Sequence, residues 1–185
     1  MTTYNTGSDV ANTAVRAYLT KVGEIYLGRT FNTASGKGKD DWDRICNSVF
    51  QNRCAYCNQN NVGLQIEHLV MFNREEYGLH HPGNIVPLCK DCNKRQKHSG
   101  GKYFTWEEQL LQICKNKNEE SSYISRKEKI SDHIENEKHP KFTDAEKHAI
   151  RVVAEKLYDD IKNQVDGAVK FYKELDQAFV KSKSN

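Results

Sequence analysis

Apolar side chains first recur at Val10, Ala14, Val15, Tyr18, Leu19, Val22 and Ile25. These steps of three and four predict a helix over residues 9–27, with Asp9 as its N-cap. Residues 30–39, rich in Ser, Gly, Thr and Lys, read as a flexible connection. Trp42, Ile45, Val49 and Phe50 then share one face of a second helix over 40–51. The period shortens after that. Leu64-Gln65-Ile66-Glu67-His68-Leu69 alternates like a half-buried strand, and Ile85-Val86-Pro87-Leu88 is a second short apolar run. Gly78, Pro82 and Gly83 punctuate the loop between them, and Pro87, lacking an N–H, makes the second run an edge strand or ends it early. The polar chain after Cys89 is expected to enter a helix, and from Phe104 onward nearly everything reads as helical. Residues 118–141 are charged enough to be expected partly mobile. The last stretch carries Ile150, Val153, Leu157, Ile161, Val165, Ala168, Tyr172, Leu175 and Phe179 in one long stripe. Such a stripe packs within the chain, here on the N-terminal helix, or dimerises through the C-terminal helices.

The pattern predicts an α+β protein, mostly helical, in three segments: residues 1–41, a motif region over 42–102, and a helical extension over 103–185. Composition leaves that picture standing. Hydrophobic residues make up 37% and charged residues 29% of 185, which suits a folded chain rather than a disordered one. The net charge of +3 decides nothing, but its distribution does: Lys90, Lys94, Arg95, Lys97 and Lys102 are opposed only by Asp91 between Cys89 and Lys102. Lys94, Arg95 and Lys97 are the candidate phosphate contacts, since neutralising phosphates releases counterions. No apolar run approaches the roughly 20 residues of a membrane span, and the first ten residues lack the basic and apolar regions of a signal peptide. A cytoplasmic, reducing setting is therefore expected, in which six cysteines serve as metal ligands and free thiols rather than disulfides.

Cys54-x-x-Cys57 and Cys89-x-x-Cys92 are two pairs at zinc-ligand spacing. A two-residue gap lets both sulfurs of a pair reach one ion, and two pairs complete the tetrahedral thiolate shell of a structural zinc. One pair alone would suit a thioredoxin-like redox motif; two matched pairs favour zinc. Cys46 and Cys114 lack such partners and read as core thiols. Between the pairs lie Glu67-His68 and Asn84, with Asn93 directly after the last cysteine. An imidazole titrates near neutral pH and can deprotonate water, while a carboxylate is a hard donor for magnesium or manganese. On a regular strand Glu67 and His68 would face opposite ways, so a twist or bulge is expected to bring them together.

The order Cys-x-x-Cys, Glu-His, Asn, Cys-x-x-Cys-Asn resembles the HNH nuclease family over roughly residues 42–97. The resemblance implies a small zinc-pinned ββα-metal core flanked by N- and C-terminal helices. It also implies roles: His68 activates water, Glu67 and Asn93 hold one catalytic Mg2+ or Mn2+ ion, and Asn84 orients the base. The implied reaction is hydrolysis of DNA to leave 5′-phosphate and 3′-hydroxyl ends, in a restriction, antiphage or mobile-element setting. Asn93 stands where the family name has a second histidine, and Glu67 where Asp is commoner. Lys97 occupies a position that ligates metal as histidine in some members. The competing classes are a non-catalytic zinc module binding DNA or protein, and a nicking or RNA-directed nuclease. His80 and His81 lie outside the motif and are expected at the surface.

Overall fold

The computed structural model describes residues 6–60 and 62–183, with side chains through 179. It is an α+β protein, mostly helical, with one two-stranded sheet. Helix α1 spans Gly7–Leu27, α2 Gly36–Arg44, and a π-turn Ile45–Val49 continues α2. Strands β1 (Leu64–His68) and β2 (Ile85–Cys89) follow, with a 3-10 turn Pro82–Asn84 leading into β2. Helices α3 (Trp106–Asn116), α4 (Tyr123–Asn136) and α5 (Asp144–Lys183) complete the order.

The chain divides into two compact units. One holds the chain up to Leu19, Asn73–Tyr77 and the chain from Phe142 onward; the other holds Thr20–Phe72 and Gly78–Lys141. In the first, Ala11, Val15 and Leu19 of α1 and Ile150 and Ala154 of α5 are buried. A Cβ on Gly7 would stand 3.2 Å from the Lys162 carbonyl, so α1 begins hard against α5. Glu155 of α5 accepts from Arg74 at 2.9 Å and from the Tyr77 hydroxyl, which fastens the short 73–77 segment to the helix. Along the apolar stripe of α5 Ile150 is buried, Leu157, Ile161 and Val165 are half-buried, and Val153, Tyr172, Leu175 and Phe179 are exposed.

The second unit has its core around Phe31, Ile45, Phe50, Tyr56, Ile85, Leu88, Leu110 and Ile130. Helix period and core agree there: Ile45 and Phe50 are buried, and Trp42 and Val49 pack against them. The sheet is antiparallel, with Leu64 opposite Cys89 and His68 opposite Ile85. Pro87 sits within β2 opposite Ile66, tolerated because a two-stranded sheet consists of edges; its carbonyl accepts from Ala55 N at 2.8 Å.

Three local expectations are corrected. The cap of α1 is Thr6, whose hydroxyl accepts from Asp9 N at 3.2 Å and donates to the Asp9 carboxylate, so Asp9 lies in the first turn. The second helix starts at Gly36, inside the stretch read as a flexible connection. Within the charged segment 118–141, helix α4 buries Ile130 and His133, in keeping with the helical reading of the chain after Phe104. The polar chain after Cys89 does not become a helix. Gln109 of α3, itself buried, accepts from Gln96 N at 3.0 Å and donates to Lys94 O at 3.2 Å. Residues 96–104 close as a small hairpin, with Lys97 bridged to Tyr103 and Gly101 in the left-handed region at φ +83°. Those backbone groups thus find partners other than the i−4 carbonyls of a helix. Among the described residues no helix is long and apolar enough to cross a membrane.

Candidate functional site

The two cysteine pairs meet at one end of the β1–β2 hairpin. Cys54, Cys57, Cys89 and Cys92 are all buried, and their sulfurs lie within 4.8 Å of one another. Cys57 and Cys89 Sγ are 3.8 Å apart. Thiolates bound tetrahedrally at about 2.3 Å are separated by about 3.8 Å, so the cluster has the dimensions of a four-sulfur metal site and is consistent with zinc. Each knuckle closes alike: Cys54 O accepts from Asn58 N at 2.8 Å, and Cys89 O from Asn93 N at 3.0 Å. Without a cation the four thiols could not all ionise. Hydrogen bonds from Cys54 and Cys92 favour the Cys57 thiolate, while those same bonds push Cys54 and Cys92 up. A bound divalent ion removes that conflict. Cys46 and Cys114 are buried apart from this cluster, as core thiols; burial pushes Cys46 up to about 11.

Asn84 binds the other end of the hairpin. It is 1% exposed, and its side chain accepts from Val70 N at 2.8 Å and donates to Val70 O at 2.9 Å and Leu79 O at 2.8 Å. Its own carbonyl accepts from Leu69 N at 2.9 Å. One asparagine therefore fixes the two residues that follow His68. The loop it closes is tight: a Cβ on Gly78 would fall 2.0 Å from Val70 O.

His68 ends β1, half-buried, with its ring stacked on Phe72 at 4.8 Å between centroids. Its Nε2 lies 3.0 Å from Nδ1 of His80, and the His80 ring rests on Phe31 at 4.8 Å. Burial lowers the pKa of His80. No family model, curated protein or solved structure matches this chain.

The remaining candidates are placed as follows. Gln65 and Glu67 share a face of β1. The Asn93 amide reaches Gln65 Oε1 at 3.2 Å and Ile66 O at 3.4 Å. Asn58 at the matching place in the first knuckle has φ +57°, a conformation asparagine tolerates, whereas Asn93 has no such backbone demand. Glu67 pairs with Arg95. Register holds from Leu64 through His68, so the bulge expected to swing Glu67 and His68 to one point is absent, and each takes its own partner. Arg95 is corrected from surface to interior: its side chain is 4% exposed, and it also donates to the carbonyls of His68, Leu69 and Phe104. A guanidinium so engaged is a strut and not a phosphate contact. Lys90, Lys94, Lys97 and Lys102 are exposed. His81 is corrected likewise: it is 1% exposed, its Nδ1 accepts from Gly83 N at 3.1 Å, and it caps the turn before β2. His80, also expected at the surface, is wedged between His68 and Phe31.

Glu67 and Asn93 offer oxygen donors of the kind magnesium and manganese take. As arranged they do not form an ion site. The Glu67 carboxylate is paired with a buried guanidinium, and the Asn93 amide donates to Gln65 and the Ile66 carbonyl.

Proposed function

We propose that this chain is an endonuclease of the HNH kind, hydrolysing DNA phosphodiesters to 5′-phosphate and 3′-hydroxyl ends, with zinc held by Cys54, Cys57, Cys89 and Cys92 as a structural ion. The observation that carries the reading is the bracing of His68: the hairpin that ends in it is tied at one end by the cysteine cluster and at the other by Asn84, which holds Leu69 and Val70. A general base must be held at a fixed direction toward its water, and this is a rigid mount for one. His68 takes the proton from the attacking water, and Asn84 keeps the strand end in place. The exposed Lys90, Lys94, Lys97 and Lys102 supply cations for the DNA backbone. A divalent ion in such enzymes offsets charge at the phosphate, while Glu67 is committed to Arg95.

The same ion pair favours a second reading, a zinc module that binds nucleic acid without cutting it. A supercoiled-plasmid assay separates the two, run in EDTA, magnesium and manganese with His68→Ala alongside. Cutting that depends on a divalent ion and disappears in a folded, zinc-loaded His68→Ala protein supports the nuclease. Retarded but intact plasmid under all conditions supports the binding module and sinks the nuclease. Discrete fragments would indicate sequence specificity, and accumulation of open circles a nicking activity.

A further inference from the structure

The loop between the strands supplies a second imidazole at the proposed base. His80 Nδ1 and His68 Nε2 are 3.0 Å apart, a distance that holds one proton between two ring nitrogens. Neither ring is loosely held. His68 is stacked within 15° of parallel on Phe72, His80 is braced by Phe31, and the Phe72 and His80 rings are themselves 5.7 Å apart. The His80 backbone is fixed from the other side by α1. A Cβ on Gly23 would stand 2.5 Å from His80 O, so only glycine lets the helix approach this closely. Asn84 holds the strand end through Leu69 and Val70, while the His68 ring itself meets Phe72 and His80.

We propose that His80 is a positioning residue for His68: it accepts the Nε2–H proton, fixes that tautomer, and leaves Nδ1 of His68 as the nitrogen that takes the proton from water. The chemistry permits only this sense of the bond if His68 is a base through its other nitrogen. Were His80 the donor, His68 would carry its proton on Nδ1 and present no lone pair there. Burial lowers the His80 pKa and so favours the neutral ring, one nitrogen of which retains the lone pair the bond requires. The proposal rests on the nuclease reading for its consequence, but the bond itself can be measured without any reaction.

The experiment is 15N NMR of the histidine side chains in the full zinc-loaded chain near pH 7.5, with plasmid-cleavage kinetics for His80→Leu and His80→Asn. The parent is expected to show His68 as the Nε2–H tautomer. His80→Leu is expected to give mixed tautomers at His68 and a fall in kcat of roughly tenfold or more with KM unchanged. His80→Asn, whose amide oxygen can take the same proton, should recover part of both. An Nδ1–H tautomer at His68 in the parent overturns the proposal, as does an unchanged His68 tautomer in His80→Leu. The parent spectrum decides the point even if His80→Leu does not fold. A parent that leaves plasmid intact removes the nuclease reading, and the tautomer measurement still decides the pairing.

Discussion

Arg95 and Glu67 form an ion pair whose guanidinium is 4% exposed and whose carboxylate is 16% exposed. Arg95 also donates to three backbone carbonyls, at His68, Leu69 and Phe104, so one side chain ties the end of β1 to the hairpin that follows the second knuckle. Removing it leaves a largely buried carboxylate and three carbonyls without that donor. Arg95→Met is expected to lose about 3 kcal/mol of unfolding free energy in urea at pH 7. Arg95→Lys should recover little, since an ammonium lacks the planar fork that reaches several acceptors at once. A loss below about 1 kcal/mol would show that solvent, and not the ion pair, holds Glu67.

On the proposed structural-zinc role, Cys89→Ser is expected to abolish tight zinc binding and to unfold the hairpin region, because an ion at the four sulfurs would join two knuckles that no disulfide connects. Metal content by plasma emission and a melting curve measure it directly. One zinc per parent chain, lost in the variant together with a clear drop in Tm, is the expected pair of results. Full metal content in Cys89→Ser, or a parent that binds none, would remove the structural-ion assignment.

Asn84 makes its case through three hydrogen bonds that no smaller side chain replaces. Asn84→Ala takes the partner from Val70 N and Val70 O, which are part-buried, and from the buried Leu79 O, and about 2 kcal/mol of destabilisation follows. Asn84→Asp tests direction as well as size. It keeps the acceptor for Val70 N but turns a carboxylate toward two carbonyls, so it should be at least as damaging near neutral pH. Equal stability of Asn84→Asp and the parent would mean the amide is not oriented as described.

What the sequence made legible follows the range of the interaction. The alternation at Leu64–His68 and the Cys-x-x-Cys spacings are local, and both strands and the four-sulfur cluster lie where those patterns put them. The burial of Arg95 is not legible in the sequence, because a basic residue in a polar run looks like any other. Its burial depends on carbonyls at Leu69 and Phe104 that only the folded chain brings near. The helix expected after Cys89 failed for the same reason, since Gln109 takes up the backbone of Lys94 and Gln96 from beyond the segment. His80 carried one signal that was available: a polar residue next to Leu79 and the Pro82–Gly83 turn, twelve places after His68. Nothing in that spacing says which way the loop folds back. The pairing is set by Phe31, Phe72 and Gly23, which lie in three different parts of the chain.

Buried neutral histidines give the fold an acid limit. His81 and His139 meet edge to face at 5.3 Å, and burial holds each down to about 4. In the unfolded chain an imidazole titrates near 6.5. Below that value the unfolded state binds protons that the folded state does not, so stability is full above about pH 6.5 and falls as the pH drops toward 4. For His81, which is 1% exposed, the loss across this window is about 3 kcal/mol. Its Nδ1 is the acceptor for Gly83 N, so protonation also removes the cap on the turn that carries Asn84. His81→Asn keeps an acceptor favoured at a cap and does not titrate. Urea unfolding at pH 7, 6, 5 and 4.5 should therefore show a shallower decline in His81→Asn than in the parent. Parallel declines in the two proteins would place the acid sensitivity elsewhere, with the half-buried His139 the next group to replace.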